Sequence, residues 1–398
     1  MSEEATGSDE SDDLLALLGE GPVPFPERTE RKFQPWHRPR KQYVRRVQWC
    51  REIGFLARDL QLADRELRYL TLPGNDLLDI RHIAENICSP HDVKLRYLGF
   101  NSAAAPTAAD QPELNAAQFS INRLDCIQPQ SEVFPGDFRS VGEVRSVPWQ
   151  RMRREGPFHA INIDLCGGFA VHEKGEGAPN YFAALQEILH NQESSDEEFL
   201  LFITTRMDDD NVDSEAMKTL LRLAQDIHDT CQKYSAAFAA AWGLQESSGP
   251  VRMPEIVGTG EAFMLGLTQW IIASGVSFGL KAYVRSFMTY RTGSGDGEDD
   301  IVSLAIRFKP DPITRPDAYG LARTSTSAPS AADKLCDQSA IVPRRVRERA
   351  RVDEILRNQA DEFERCIAES SALLNAAGYD ASLYRDWLTQ VDGLNMAK

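Results

Sequence analysis

The chain has 398 residues, 42% hydrophobic and 26% charged, with 60 acidic against 44 basic side chains and a formal net charge of −16. This length and composition describe a globular protein of roughly one to three domains, and the excess of acid argues against attraction of nucleic acid to the whole surface. No run of about 18 apolar residues exists, so no membrane-spanning helix is expected; the acidic Met-Ser-Glu-Glu start does not fit a secretory leader, and a cytoplasmic protein is expected.

In chain order, residues 1–27 read as a disordered acidic tail. Residues 28–64 form a basic, aromatic arm, in which Pro35 and Pro39 set an irregular turn before a helix from about Arg40 to Leu60, with Val44, Val47, Ile53 and Leu56 on its apolar face. Residues 67–74 read as a strand ending in a Pro-Gly turn, 75–87 as a helix, 94–101 as a second strand and 113–124 as a helix. Residues 132–138 make a weak third strand and 141–157 a polar connection.

Residues 158–169 carry the strongest signal: an apolar run climbs through Ile161 and Ile163 to Asp164, then breaks on Gly167 and Gly168. Such a run is a buried parallel strand, and in open α/β sheets ligands bind beyond the carboxyl ends of the strands. Asp164 is therefore expected in a cleft, with the two glycines letting backbone approach a ligand. A helix over 180–190, a strand over 198–205, one long helix over 214–241 and a helix over 262–274 follow. Residues 280–292 and 301–309 alternate as a hairpin, 311–342 read as a linker, and 343–398 as a helical extension.

Alternation of strands and helices requires a parallel sheet with helical crossovers. The expected fold is α/β: a seven-strand, mostly parallel, doubly wound sheet over 65–310 with a closing antiparallel hairpin, plus N- and C-terminal helical extensions. This layout resembles the class I S-adenosylmethionine-dependent methyltransferases. The resemblance implies S-adenosylmethionine as cofactor. It implies cofactor contacts at Gly74 and Asn75 in the turn after the first strand, at Asn101 where the family's second strand ends in a ribose-binding carboxylate, and at Asp137, which matches the third-strand Gly-Asp. Asp164 falls at the family's catalytic or substrate-binding position on the fourth strand. The chain departs from the pattern in keeping one glycine of the turn and in carrying Asn101 instead of a carboxylate.

Trp36, His37, Tyr43 and Trp49 interleave with Arg38, Arg40, Lys41, Arg45 and Arg46. Rings among cations suit single-stranded nucleic acid; the bland alternative is a helix packed on the sheet with both tryptophans in the core. A third reading makes residues 34–42 a lid over the cleft, with Trp36, His37, Arg40, Lys41, Gln42 and Arg45 as lid or substrate residues beside Gly167 and Gly168. The stretch Pro35-Trp36-His37-Arg38-Pro39-Arg40-Lys41-Gln42 resembles one in methyltransferase-like proteins encoded among bacterial antiphage defence genes, which implies a multi-protein assembly and a protein partner. Arg344, Arg345, Arg347, Arg349 and Arg351 make a second basic cluster, best read as a solvated face. The Asp208–Asp213 run lacks the Ca²⁺-loop pattern and is expected to cap the next helix. No metal site is expected: no zinc spacing occurs, and seven scattered cysteines read as reduced thiols, with Cys166 buried and inert. Two functions therefore stand side by side, a divergent methyltransferase and a non-catalytic Rossmann-like binding module.

Overall fold

The apolar runs that alternate with helix-forming segments assemble into an eight-stranded sheet in the computed structural model, which describes residues 31–171, 178–244, 252–293, 297–312 and 329–392. The strands are β1 (Glu66–Thr71), β2 (Lys94–Phe100), β3 (Glu132–Phe134), β4 (Ala160–Gly168), β5 (Phe199–Arg206), β6 (Leu280–Tyr290), β7 (Ile301–Pro310) and β8 (Ala350–Arg351). Their order across the sheet is β3-β2-β1-β4-β5-β7-β6-β8. β1 to β5 run parallel, β7 lies antiparallel between β5 and β6, and β8 pairs parallel with β6. The chain order reverses between β1 and β4, and in open α/β sheets such a switch point opens a crevice at the carboxyl ends of the strands.

Period-two alternation sorts each strand between two helical layers. Leu70, Ile161, Ile163, Leu201 and Ile203 pack on one face with helices Tyr181–Gln192, Ser214–Thr230 and Thr259–Ser277. Leu67, Tyr69, Leu200 and Phe202 pack on the other face with Val44, Trp49 and Ile53 of the N-terminal helix and with helices Leu78–Ile83 and Gln111–Ile121. The N-terminal helix runs as Pro39–Val44, a π-helical turn Arg45–Cys50, and Arg51–Asp59. A third cluster joins Leu78 to Ile367, Leu374, Tyr379, Tyr384 and Leu388 of the C-terminal extension, with Phe33 packed against it. Residues 33–398 thus form one unit, with the arm and the C-terminal helices as part of the same body as the sheet.

Five expectations change. An eighth strand extends the sheet, because Ala350 and Arg351 pair with Met288 and Thr289 of β6. The polar connection holds helix Val147–Glu155, capped by Ser146, whose hydroxyl accepts from the Trp149 amide at 3.1 Å. The long helix is two, Ser214–Thr230 and Gln232–Trp242, because Cys231 leaves helical geometry (φ −117°, ψ 103°) and caps the second. The linker contains helix Ala331–Ser339, opened by a capping box between Ser330 and Asp333. That helix also corrects the reading of all cysteines as reduced thiols: Cys231 and Cys336, 105 residues apart, are disulfide-bonded across a Cα separation of 5.4 Å. Only the folded chain brings that pair together, so spacing cannot show it. The 1–27 tail lies outside the described residues. No helix among the described residues is long and apolar enough to cross a membrane.

Candidate functional site

On β4 the residues facing the N-terminal helix are Ala160, Asn162 and Asp164; on β1 they are Leu67, Tyr69 and Thr71. Apolar side chains serve at the amino ends and polar ones at the carboxyl ends, so a polar floor forms beneath residues 41–48. There the Lys41 ammonium ion-pairs with Asp164, and Tyr290 Oη at the end of β6 lies 3.5 Å from the same nitrogen. Lys41 is buried while the Asp164 side chain keeps 23% exposure. Burial pulls the Lys41 pKa down, but the Asp164 carboxylate and Tyr290 outweigh it and hold the ammonium above the ordinary lysine value. Asp164 therefore stands at the mouth of the site with a fixed cation behind it.

Deeper on β1, the Asp79 carboxylate accepts from Thr71 Oγ1 at 2.5 Å and from Tyr69 Oη at 3.0 Å, while Tyr69 Oη accepts from Asn162 Nδ2 at 2.9 Å. Burial raises the Asp79 pKa above the ordinary carboxyl value. Tyr69, Thr71, Asp79, Asn162 and Tyr290 were not foreseen as site residues. The available signal was polar residues inside otherwise apolar runs, the same anomaly that singled out Asp164.

The turn after β1 is the expected backbone approach. A side chain at Gly74 would meet no atom within 4 Å, so this backbone faces open space. Leu77 adopts left-handed geometry (φ 51°) before helix Leu78–Ile83. At the end of β2, Asn101 Nδ2 donates to the Pro73 carbonyl at 2.9 Å and to Asn75 Oδ1 at 3.0 Å, and its Oδ1 accepts from the Ala103 amide at 2.7 Å. Gly74, Asn75 and Asn101 are thus brought together, with the Asn101 amide spent on holding two turns. After β3, Asp137 is gripped by the Arg139 guanidinium and accepts from its backbone amide at 2.9 Å. Burial pushes the Asp137 pKa up, and Arg139 more than offsets it, leaving it below the ordinary value.

Gly167 faces open space, as a ligand approach requires, whereas a side chain at Gly168 would fall 1.8 Å from the Asn211 carbonyl. Gly168 is a packing residue, and its expected role beside a ligand is corrected on that ground. Cys166 is exposed, not buried. In the Asp208–Asp213 run, Asp213 caps helix Ser214–Thr230 and Asp208 pairs with Arg206.

The arm does not lie open. The Arg38 guanidinium donates to the Thr292 carbonyl, Arg40 pairs with Asp353 at 3.1 Å, Arg46 with Glu362 and Glu369, and Gln42 donates to Glu369 at 3.4 Å. His37 is buried, with Nε2 3.6 Å from the Asp76 carboxylate, and burial lowers its pKa. Tyr384 Oη donates to the His37 carbonyl at 2.6 Å, and Phe33 stacks on Tyr379. Trp49 is core, while Trp36 keeps 45% exposure. Residues 34–42 therefore cover the strand ends and are clamped there by the C-terminal helices. Arg45 is the exception: it is buried, and it finds no hydrogen-bond or ion-pair partner among the described residues. The second basic cluster turns to acids near it: Arg347 and Arg349 pair with Glu261, and Arg344 with Glu348.

With this geometry in hand, comparison with known families gives one assignment. A model of PP_RS20740-like proteins matches residues 30–389. The chain belongs to the PP_RS20740-like family. The match begins at the arm and ends within the last helix, Tyr384–Asp392, so the residues that clamp the arm over the strand ends lie inside the matched span. No curated protein matches the chain.

Proposed function

We propose that the chain is a divergent methyltransferase-type protein whose cleft lies at the carboxyl ends of β1 and β4. The observation that carries this reading is the strand order β3-β2-β1-β4-β5-β7-β6, with a polar, charge-paired Asp164 where β4 runs past the end of β1 at the switch point. The antiparallel hairpin of β6 and β7 supports this reading, since the class I methyltransferase resemblance rests on a sheet that closes with such a hairpin. Fold alone does not fix function, so the site has to carry the rest.

S-adenosylmethionine fits the β1 side of the cleft: the Gly74 backbone faces open space, and polar atoms line the strand ends. Gly74, Asn75 and the floor around Thr71 would hold it, with Asn101 and Asp137 as bystanders already engaged. When bound, the cofactor supplies an electrophilic methyl group. Methyl transfer needs alignment above all. Asp164 orients an acceptor N–H or O–H at the cleft mouth and takes up the proton released there. The Lys41 ammonium fixes the Asp164 rotamer and, with Tyr290, excludes water from its rear side. Nucleic acid or another acceptor would enter past Asp164 and Cys166, since the arm's basic side chains are turned inward.

One observation favours the second reading, a non-catalytic module that binds a partner protein: the Asn101 amide and the Asp137 carboxylate are consumed by internal contacts. Calorimetric titration with S-adenosylmethionine separates the two. Saturable binding is expected for the methyltransferase reading, and its absence at millimolar cofactor favours the partner-binding module.

A further inference from the structure

Arg45 lies one turn beyond Lys41 on the N-terminal helix and is 6% exposed. Its Nε is sealed from solvent with no acceptor, and no carboxylate among the described residues comes within ion-pair distance. The charged groups around it are committed elsewhere. Lys41 holds Asp164, Arg40 holds Asp353, Arg46 holds Glu362 and Glu369, and Asp76 accepts from Tyr379 Oη at 2.8 Å. Asp79 accepts from Thr71 and Tyr69. The Arg45 charge nevertheless acts on Lys41, Asp79, His82 and Tyr290, which sets it among the residues of the strand-end floor.

Other polar atoms of the same region are also sealed without partners: His82 Nε2, Gln42 Oε1 and Asn162 Oδ1. Buried polar groups normally find partners, and a buried unpaired charge is strongly unfavourable. An arginine held this way is suited to a ligand that brings its own oxygens, because the planar guanidinium grips carboxylate or phosphate two-handed.

We propose that Arg45 receives an oxyanion, the phosphate or carboxylate of a small ligand seated at the carboxyl ends of β1 and β4. Gln42 and Asn162 supply acceptors for the donor groups that accompany that anion. The assignment stands on the unpaired guanidinium and its neighbours and does not depend on methyl transfer, since a phosphorylated metabolite would satisfy it as well.

Thermal unfolding of the full chain tests this, in chloride buffer of matched ionic strength with about 10 mM inorganic phosphate or about 10 mM L-methionine. One of the two probes raises the wild-type Tm by about 3 °C, and which one does so distinguishes a phosphoryl group from an amino-acid carboxylate. Arg45→Gln abolishes the shift, while its ligand-free Tm equals or exceeds that of wild type because an uncompensated charge has been removed. Arg45→Lys, which keeps the charge and loses the fork, retains less than half of the shift. No shift with either probe in wild type overturns the proposal, as does an equal shift in Arg45→Gln. Should Arg45→Gln fail to fold, an undiminished shift in Arg45→Lys overturns it.

Discussion

The two sides of the sheet's carboxyl edge, at β2–β3 and at β1–β4, treat their polar side chains in opposite ways. On the β2–β3 side, Asn101 and Asp137 occupy the positions where the fold resemblance expects cofactor contacts, yet Asp137 is engaged by Arg139 two residues on, and Asn101 by Ala103 and by Pro73 and Asn75 of the turn after β1. On the β1–β4 side, Asp164 reaches a cation 123 residues distant, Gly74 faces open space, and Arg45, His82 and Asn162 keep unused polar atoms. A local contact can satisfy a polar side chain without any larger structure. Long-range pairs and unsatisfied buried atoms persist only where the whole fold imposes them.

The β1–β4 side depends most on Asp164. Asp164→Ala strands the buried Lys41 ammonium and should cost about 3–5 kcal/mol in denaturant unfolding; Lys41→Met with Asp164→Leu should recover most of that loss. A cost below about 1 kcal/mol for the single change would mean that the pair is a surface ornament.

Acid sharpens the same side. Burial, with the nearby Arg45 charge, lowers the His82 pKa from 6.5 to about 4. The unfolded chain then binds the proton more readily than the folded one, so the neutral imidazole's contribution is complete above the unfolded pKa of about 6.5. It is lost as pH falls from there toward 4, by at most about 3 kcal/mol. His82→Gln should flatten the slope of stability between pH 6.5 and 4.5, and an unchanged slope would assign the acid loss to His37 and His159, whose pKa values burial also lowers.

The adjoining glycines give a contrast within one strand end. Gly168→Ala drives a methyl against the Asn211 carbonyl and should destabilise by about 2–3 kcal/mol, whereas Gly167→Ala, facing open space, should fall within about 0.5 kcal/mol of wild type. Asp137→Ala on the β2–β3 side, with an exposed partner pair, should likewise change stability little, by about 0–1 kcal/mol, and leave ligand binding untouched.

Legibility of the sequence followed the same divide. Strand positions and their alternation with helices were readable because each apolar run is local, and so was the place of Asp164 on the fourth strand. Helix Val147–Glu155 was also within reach through Ser146 and Pro148, a cap signal outweighed by the polar character of the stretch. The partners of Lys41, Arg40 and Arg46, the eighth strand and the Cys231–Cys336 bond join residues far apart in the chain, and no periodicity encodes such pairs. Arg45 was placed in the arm's basic set for its charge, but its isolation shows only once every neighbour's partner is known.

On the proposed reading, the open turn at Gly74 and the floor at the ends of β1 and β4 hold S-adenosylmethionine. Gly74→Leu tests it most directly, because the added side chain meets open space and should leave the Tm within about 1 °C of wild type. Calorimetric titration is predicted to show saturable cofactor binding to wild type and at least about tenfold weaker binding, roughly 1.4 kcal/mol, to Gly74→Leu. No binding to wild type at millimolar cofactor, or equal binding to both proteins, would contradict it.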